Sequence, residues 1–159
     1  MATLVLTNAT TLYGTGWTGT APGPANPTVS GTISSSTDFT DHIRAVTLNM
    51  NIAMQDFTTF GDGAFISQKP GLKGADLSIE FNQDFAASAV DATFGAAFLA
   101  GTLIYLDFKP TSSSRAATNP SYVYACYVSA WTPIGQTVGD RASVTVPFAV
   151  TGTYARLTS

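Results

Sequence analysis

Gly14-Thr15-Gly16-Trp17-Thr18-Gly19 has the GxGxxG spacing that cradles a dinucleotide pyrophosphate, and an acidic residue, Asp38, follows about twenty positions on. That chemistry needs the third glycine to open a helix whose N-terminal N–H groups receive the phosphates. Thr20-Ala21-Pro22-Gly23-Pro24 follows instead, and its prolines forbid a helix interior, so the match is coincidental. Asp38, Asp41 and His42 form the one cluster of metal-ligand types. A catalytic metal site usually takes three protein ligands with room for water, and no second histidine exists to join them. The plainer reading is a short turn in which Asp38 or Thr37 caps the backbone ahead of a strand. Nucleophilic catalysis meets the same shortage, because a Ser or Cys nucleophile needs a positioned base. No phosphate loop of the GxxxxGK[ST] type occurs, and nothing in the spacing of the ten acids pairs two carboxylates. Tyr122, Tyr124, Tyr127 and Trp131 could stack on sugars or bases. Strand alternation, however, divides them between two faces, which suits core and interface better than a platform. The residues read as a non-enzyme with no cofactor and no metal.

Composition points the same way. Charged residues make up 11% of the 159, against roughly 25% in a typical soluble domain, and 24 threonines take over the polar role. Such a surface is cheap to desolvate and suits packing against other protein. A net charge of −3 leaves no basic footprint for gripping nucleic acid. The single cysteine, Cys126, excludes an internal disulfide framework and reads as a small packed hydrophobe. The start of the chain lacks the basic residues and apolar run of a signal peptide, and no stretch approaches the length of a membrane span.

The elements that must position these residues are mostly strands. The length fits one domain, 1–159. Ala2–Tyr13 reads as a strand, and Gly14–Ser36, with three prolines and five glycines, as an extended arm or long loop. From Arg44, Val46, Leu48, Met50, Ile52 and Met54 alternate with polar residues, predicting a half-buried strand. Leu77, Ile79 and Phe81 mark a second strand. Asn82 or Asp84 can cap a helix over about 84–100 that ends at Gly101. Its Phe85, Ala92 and Leu99 share one face and Val90, Phe94 and Ala97 the other, so it wants cover on two sides. Strands over Leu103–Phe108, Tyr122–Trp131 and Arg141–Val150 complete the chain, the last with Ala142, Val144, Val146, Phe148 and Val150 inward. The sum is a mainly β fold: an antiparallel β-sandwich or barrel-like domain with one flanking α-helix, a long mid-chain loop and an N-terminal arm.

That loop, about 54–74, includes FTTFGDGAFISQKPGLKG, with four glycines beside Phe57, Phe60, Phe65 and Ile66. Loops are normally polar and lie on the surface. Burial of four side chains falls well short of the conformational entropy of eighteen ordered residues. The segment is therefore expected to be mobile alone and ordered by contact with another molecule.

Three stretches, DFTDHIRAVTLNMNIAMQDFTTFGDG, GLKGADLSIEFNQDFAASAVDATF and WTPIGQTVGDRASVTVPFAVTG, together with the order of elements, resemble the major tail tube proteins of long-tailed bacteriophages, most of all small single-domain ones from actinophages. They span most of 38–152; the N-terminal third matches little. The resemblance implies a virion protein, made in the host cytoplasm, that assembles into hexameric rings stacked as a hollow tube through which DNA passes without specific binding. It implies an inter-subunit role for Met54, Phe57, Phe60, Phe65, Ile66 and Leu72, an arm at 14–36 that contacts the adjacent ring, and a lumen wall from Arg44–Met54 and Leu77–Phe81. Tape-measure, tail-terminator and baseplate or distal-tail proteins would be its partners, with no membrane. A lumen that does not hold DNA should be neutral or negative, which nominates Asp56, Asp62, Asp76, Glu80 and Asp84. A capsid decoration protein and a receptor- or carbohydrate-binding β-sandwich are the alternatives.

Overall fold

A computed structural model describes residues 9–24, 28–63, 65–137 and 139–159. The part of the expected first strand at residues 1–8 lies outside them. The strands are β1 (Thr10–Gly14), β2 (Gly16–Thr18), β3 (Thr32–Ser34), β4 (Thr37–Asp38), β5 (Ile43–Asp56), β6 (Gln68–Asn82), β7 (Ile104–Lys109), β8 (Ser121–Val128), β9 (Ser143–Val150) and β10 (Ala155–Leu157), and α1 (Val90–Ala100) lies between β6 and β7. Eight strands form one antiparallel sheet in the order β4-β1-β7-β8-β9-β6-β5, with β10 alongside β8. The fold is mainly β with a single helix among the described residues, as the alternation patterns predict.

The sheet is strongly curled. Three strands separate β1 from β6, so in a flat sheet they would lie about 19 Å apart. Yet one ring from α1, Phe94, lies 5.4 Å from Tyr13 of β1 and 4.9 Å from Phe81 of β6. Phe39, from the turn before β5, bridges the same two rings at 5.9 and 6.2 Å. The aromatic plug closes one end of the curl, and Leu77, Ile79, Leu106, Val144, Val146 and Phe148 fill the concave face behind it.

Helix α1 starts later than expected. Asp84 accepts from the Ala86 N–H at 2.9 Å, but Ser88 then takes a left-handed backbone (φ 64°), which breaks the helix run until Val90. Neither Asn82 nor Asp84 caps α1, whose N-cap is Ala89 with no side-chain bond. The C-terminus matches the expectation: Gly101 is left-handed (φ 59°), and its N–H closes on the last helical carbonyls. Val90, Phe94 and Ala97 are buried while Leu99 and Phe85 are exposed, so the sheet covers one face of a helix that is apolar on both.

Residues 14–36, expected as an extended arm or long loop, pack on the sheet over their described part. Their described part carries the β2–β3 hairpin, which lies on its own protomer. Trp17 packs 5.5 Å from Tyr105 of β7, and Ile33 is buried. Gly14 allows the close approach, since a Cβ there would meet Ile33 Cγ2 at 2.2 Å. Asp107, itself buried, accepts from Arg115 Nη2 at 2.7 Å and from the Ser121 hydroxyl, and Arg115 Nη1 donates to the Gly31 carbonyl at 2.7 Å. This charge-assisted clamp fastens the β2–β3 hairpin to the sheet.

Tyr124 and Cys126 of β8 are fully covered, and burial pushes the proton affinity of both side chains up. Tyr13 shifts in the same direction for the same reason. Groups whose folded pKa exceeds the unfolded value, here 9.0 for Cys and 10.0 for Tyr, contribute stability that is complete below those values and lost as the pH rises above them. The melting temperature should therefore hold to about pH 9 and then fall. Tyr124→Phe should flatten that fall at little cost near pH 7, because the Tyr124 hydroxyl has no hydrogen-bond partner among the described residues. Equal alkaline slopes in variant and wild type would contradict this assignment.

Candidate functional site

The feature with no structural explanation within the described chain is the outer half of the β5–β6 hairpin. β6 pairs with β9 only over Asp76–Asn82, whereas its pairing with β5 runs out to Asp56↔Gln68. Beyond Asn49↔Asp76 the hairpin is a two-stranded ribbon reaching about 24 Å past the sheet, at about 3.4 Å per residue. Val46 and Leu48 pack on the core as expected. Met50, Ile52 and Met54 continue the alternation but are 51%, 45% and 51% exposed. The expected half-buried strand is thus covered over its first half only, because the opposing layer ends at Leu48↔Leu77.

The expected loop of 54–74 narrows to 57–67, since β5 continues to Asp56 and β6 begins at Gln68. Short-range polar bonds link the described residues of the tip. Asp56 accepts from the Thr58 N–H at 2.8 Å and its hydroxyl at 2.5 Å. The Phe57 N–H donates to the Ser67 carbonyl at 2.8 Å, and the Ser67 N–H to the Thr58 hydroxyl at 3.0 Å. Thr59 and Asp62 form a capping box around the single helical turn Phe60–Asp62, with the Thr59 N–H donating to Asp62 Oδ2 at 2.7 Å. Lys69 Nζ sits 4.9 Å above the Phe57 ring. A tip with its polar groups engaged turns its apolar ones outward: Phe60 is fully exposed, and Phe65, Ile66 and Leu72 are 82%, 74% and 87% exposed. Large apolar side chains that gather on an exposed surface mark interaction sites in soluble proteins.

The five nominated acids do not converge. Asp56 and Asp62 hold the tip turns. Asp76 and Glu80 lie on the polar face of β6, opposite Asn49 and Ala45 of β5, with Glu80 accepting from Arg44 Nη1 at 2.7 Å. Asp84 sits at the other end, 3.2 Å from His42 Nε2. Hydrogen bonds from the Thr58 hydroxyl and then its N–H lower the Asp56 pKa, and the Ala86 N–H followed by His42 lowers that of Asp84. The remaining chemical candidates also disperse. Asp38 accepts from the Thr40 N–H at 2.8 Å as a turn residue. The glycines of GTGWTG lie in and around the β1–β2 corner. Trp131 packs over Gly95 of α1 and against the core, whereas Tyr127 is exposed.

A second feature is invisible in the sequence. The mouth of the curl, between β1, β7 and β8 on one side and β5 and β6 on the other, is a groove of about 880 Å³. Its floor is apolar, with Val46, Leu48, Leu77, Leu106, Phe108 and Tyr122, and Asp41 and Ser112 lie among its polar lining residues. It joins side chains from five strands that no local spacing connects.

No protein-family model matches the chain, and no curated protein does. Among solved structures, one chain of the structure titled "Virion of native gene transfer agent (GTA) particle" is similar to it, with a TM-score of 0.57 at 14% identity over 76% of this chain and 88% of that one. At that identity the likeness is one of fold, and it covers most of both chains.

Proposed function

We propose that this chain is a structural virion subunit that self-assembles into hexameric rings stacked as a phage-type tail tube, the conduit for DNA. The observation that carries the reading is the ordered, apolar β5–β6 ribbon, which lies outside its own core and has its polar groups already engaged. The fold shared with a chain of a gene transfer agent virion supports it, as do the resemblance in 38–152 and the low-charge, Thr-rich surface. The role is binding and enclosure, without catalysis or a cofactor.

In this arrangement the polar face of β5 and β6 lines the channel. Thr47, Asn49, Ser78 and Asp76 offer phosphate no cation, and the one arginine beside them, Arg44, is held by Glu80. Of the nominated acids, Asp76 and Glu80 belong to that wall, and Asp56, Asp62 and Asp84 shape turns at its two ends. The β2–β3 hairpin stays on its own subunit. Tape-measure, tail-terminator and baseplate proteins cap or fill the tube. Electron microscopy of the purified protein at rising concentration tests the reading. Tubes built of sixfold rings are expected; persistent trimers would favour a capsid decoration protein, and persistent monomers would overturn self-assembly.

A further inference from the structure

We infer that Met50 and Met54 are sites of reversible oxidation, at which hydrogen peroxide converts each thioether to a sulfoxide and holds the subunit unassembled. This rests on the self-assembly reading and adds a chemical control to it. Among the described residues, these two side chains carry the sulfur that is open to solvent, both being half exposed. The other sulfur, that of Cys126, is wholly buried, and burial pushes its thiol pKa up, so it offers an oxidant no thiolate. The fold sets the methionines out. Met50, Ile52 and Met54 stand at alternate positions on one face of β5, beyond the last core pair, Leu48↔Leu77. Their partners across the ribbon, Ala75 for Met50 and Pro70 for Met54, have side chains too short to cover a thioether.

The chemistry needs one oxidant. A sulfur lone pair attacks one oxygen of hydrogen peroxide, an S–O bond forms as the O–O bond breaks, and the other oxygen leaves with both protons as water. Sulfur is oxidised by two electrons and the peroxide is reduced by two. The reverse step uses a dithiol, which is oxidised to a disulfide while the sulfoxide oxygen departs as water. A sulfoxide places a strong acceptor on a face with no donor to spare. Ile52 and Ala75 have apolar side chains, and Pro70 lacks an N–H. In the free subunit the new S=O group is solvated and costs nothing. An assembly that buries this face strips that water and leaves the acceptor unpaired. Oxidation therefore opposes association, and it does so outside the core.

Partial oxidation followed by assembly tests this on the unmodified chain. The protein is treated with hydrogen peroxide, the peroxide is removed, and the concentration is raised to form assemblies. Pellet and supernatant are then compared residue by residue by peptide mass spectrometry. Sulfoxide at Met50 and Met54 is expected to be depleted about tenfold or more in the pellet. Fully oxidised protein should give no pellet yet keep its melting temperature by circular dichroism. A dithiol with methionine sulfoxide reductases for both epimers should restore assembly. Equal sulfoxide in pellet and supernatant, or a loss that the reductases do not reverse, would overturn the proposal while leaving self-assembly intact. Unfolding on oxidation would overturn it as well, by placing the effect in the core. Untreated protein that never pellets would overturn both readings.

Discussion

Deleting Phe60–Leu72 is expected to leave a folded monomer that no longer associates. The deletion lies wholly beyond the core: the last core pair along the hairpin is Leu48↔Leu77, and β9 supports β6 only from Asp76 inward. The shortened chain can reclose the hairpin beyond Ile52↔Lys73, keeping every pair that the domain needs. In the free subunit the lost side chains are already in water, so the melting temperature should change little. In the assembly the loss is large. Burying Phe60, Phe65, Ile66 and Leu72 contributes about 6–12 kcal/mol, at roughly 1.5–3 each, before ordering costs. Every 1.4 kcal/mol is about tenfold in affinity, so removing them should raise the association threshold beyond accessible concentrations. Circular dichroism melting and analytical ultracentrifugation read the two halves separately. A deletion that unfolds the domain would make the hairpin part of the protomer's own core; one that still polymerises would move the interface elsewhere.

Phe94→Ala should have the largest effect on stability, about 3–5 kcal/mol, the range for a buried phenylalanine cut to alanine. The Phe94 ring is fully buried and lies 5.4, 5.2, 4.9 and 5.7 Å from the rings of Tyr13, Phe39, Phe81 and Phe148. Those residues come from β1, the turn before β5, β6 and β9, so one side chain joins α1 to both ends of the curled sheet. A typical domain has about 5–15 kcal/mol in all, so the variant should be marginal at 37 °C. Leu99→Ala, on the exposed face of the same helix, is the matched control and should cost well under 1 kcal/mol in the isolated subunit. Urea titrations of the two variants measure the contrast. Similar losses at both positions would mean that the helix is held by its own propensity and not by the aromatic plug.

Much of the fold was legible because burial leaves a local periodic mark. Val144, Val146 and Phe148 alternate along β9 and are buried, Val150 is half-buried, and Ala142, expected inward, is exposed just before the strand; the two faces of α1 were separable at a period of 3.6, with Val90, Phe94 and Ala97 buried. The apolar character of Phe60, Phe65 and Ile66 in a glycine-rich segment also marked the hairpin tip as the place to look. Their exposure was not legible in the sequence, nor were the hydrogen bonds among Asp56, Thr58, Thr59 and Asp62 at the turns beside them.

Tertiary structure decided the rest. Met50, Ile52 and Met54 carry the same alternation as Val46 and Leu48, yet the first three are exposed. Periodicity tells which face of a strand a side chain takes, not where the layer opposite that face stops. Gly14–Ser36 looked like a free arm because its partners, Tyr105, Asp107 and Arg115, lie far along the chain. The groove depends on the curvature of eight strands together and has no counterpart in any short window. Local spacing records the steric preferences of neighbouring residues; where a sheet curls, ends or leaves a gap is set by contacts between residues that the chain alone keeps far apart.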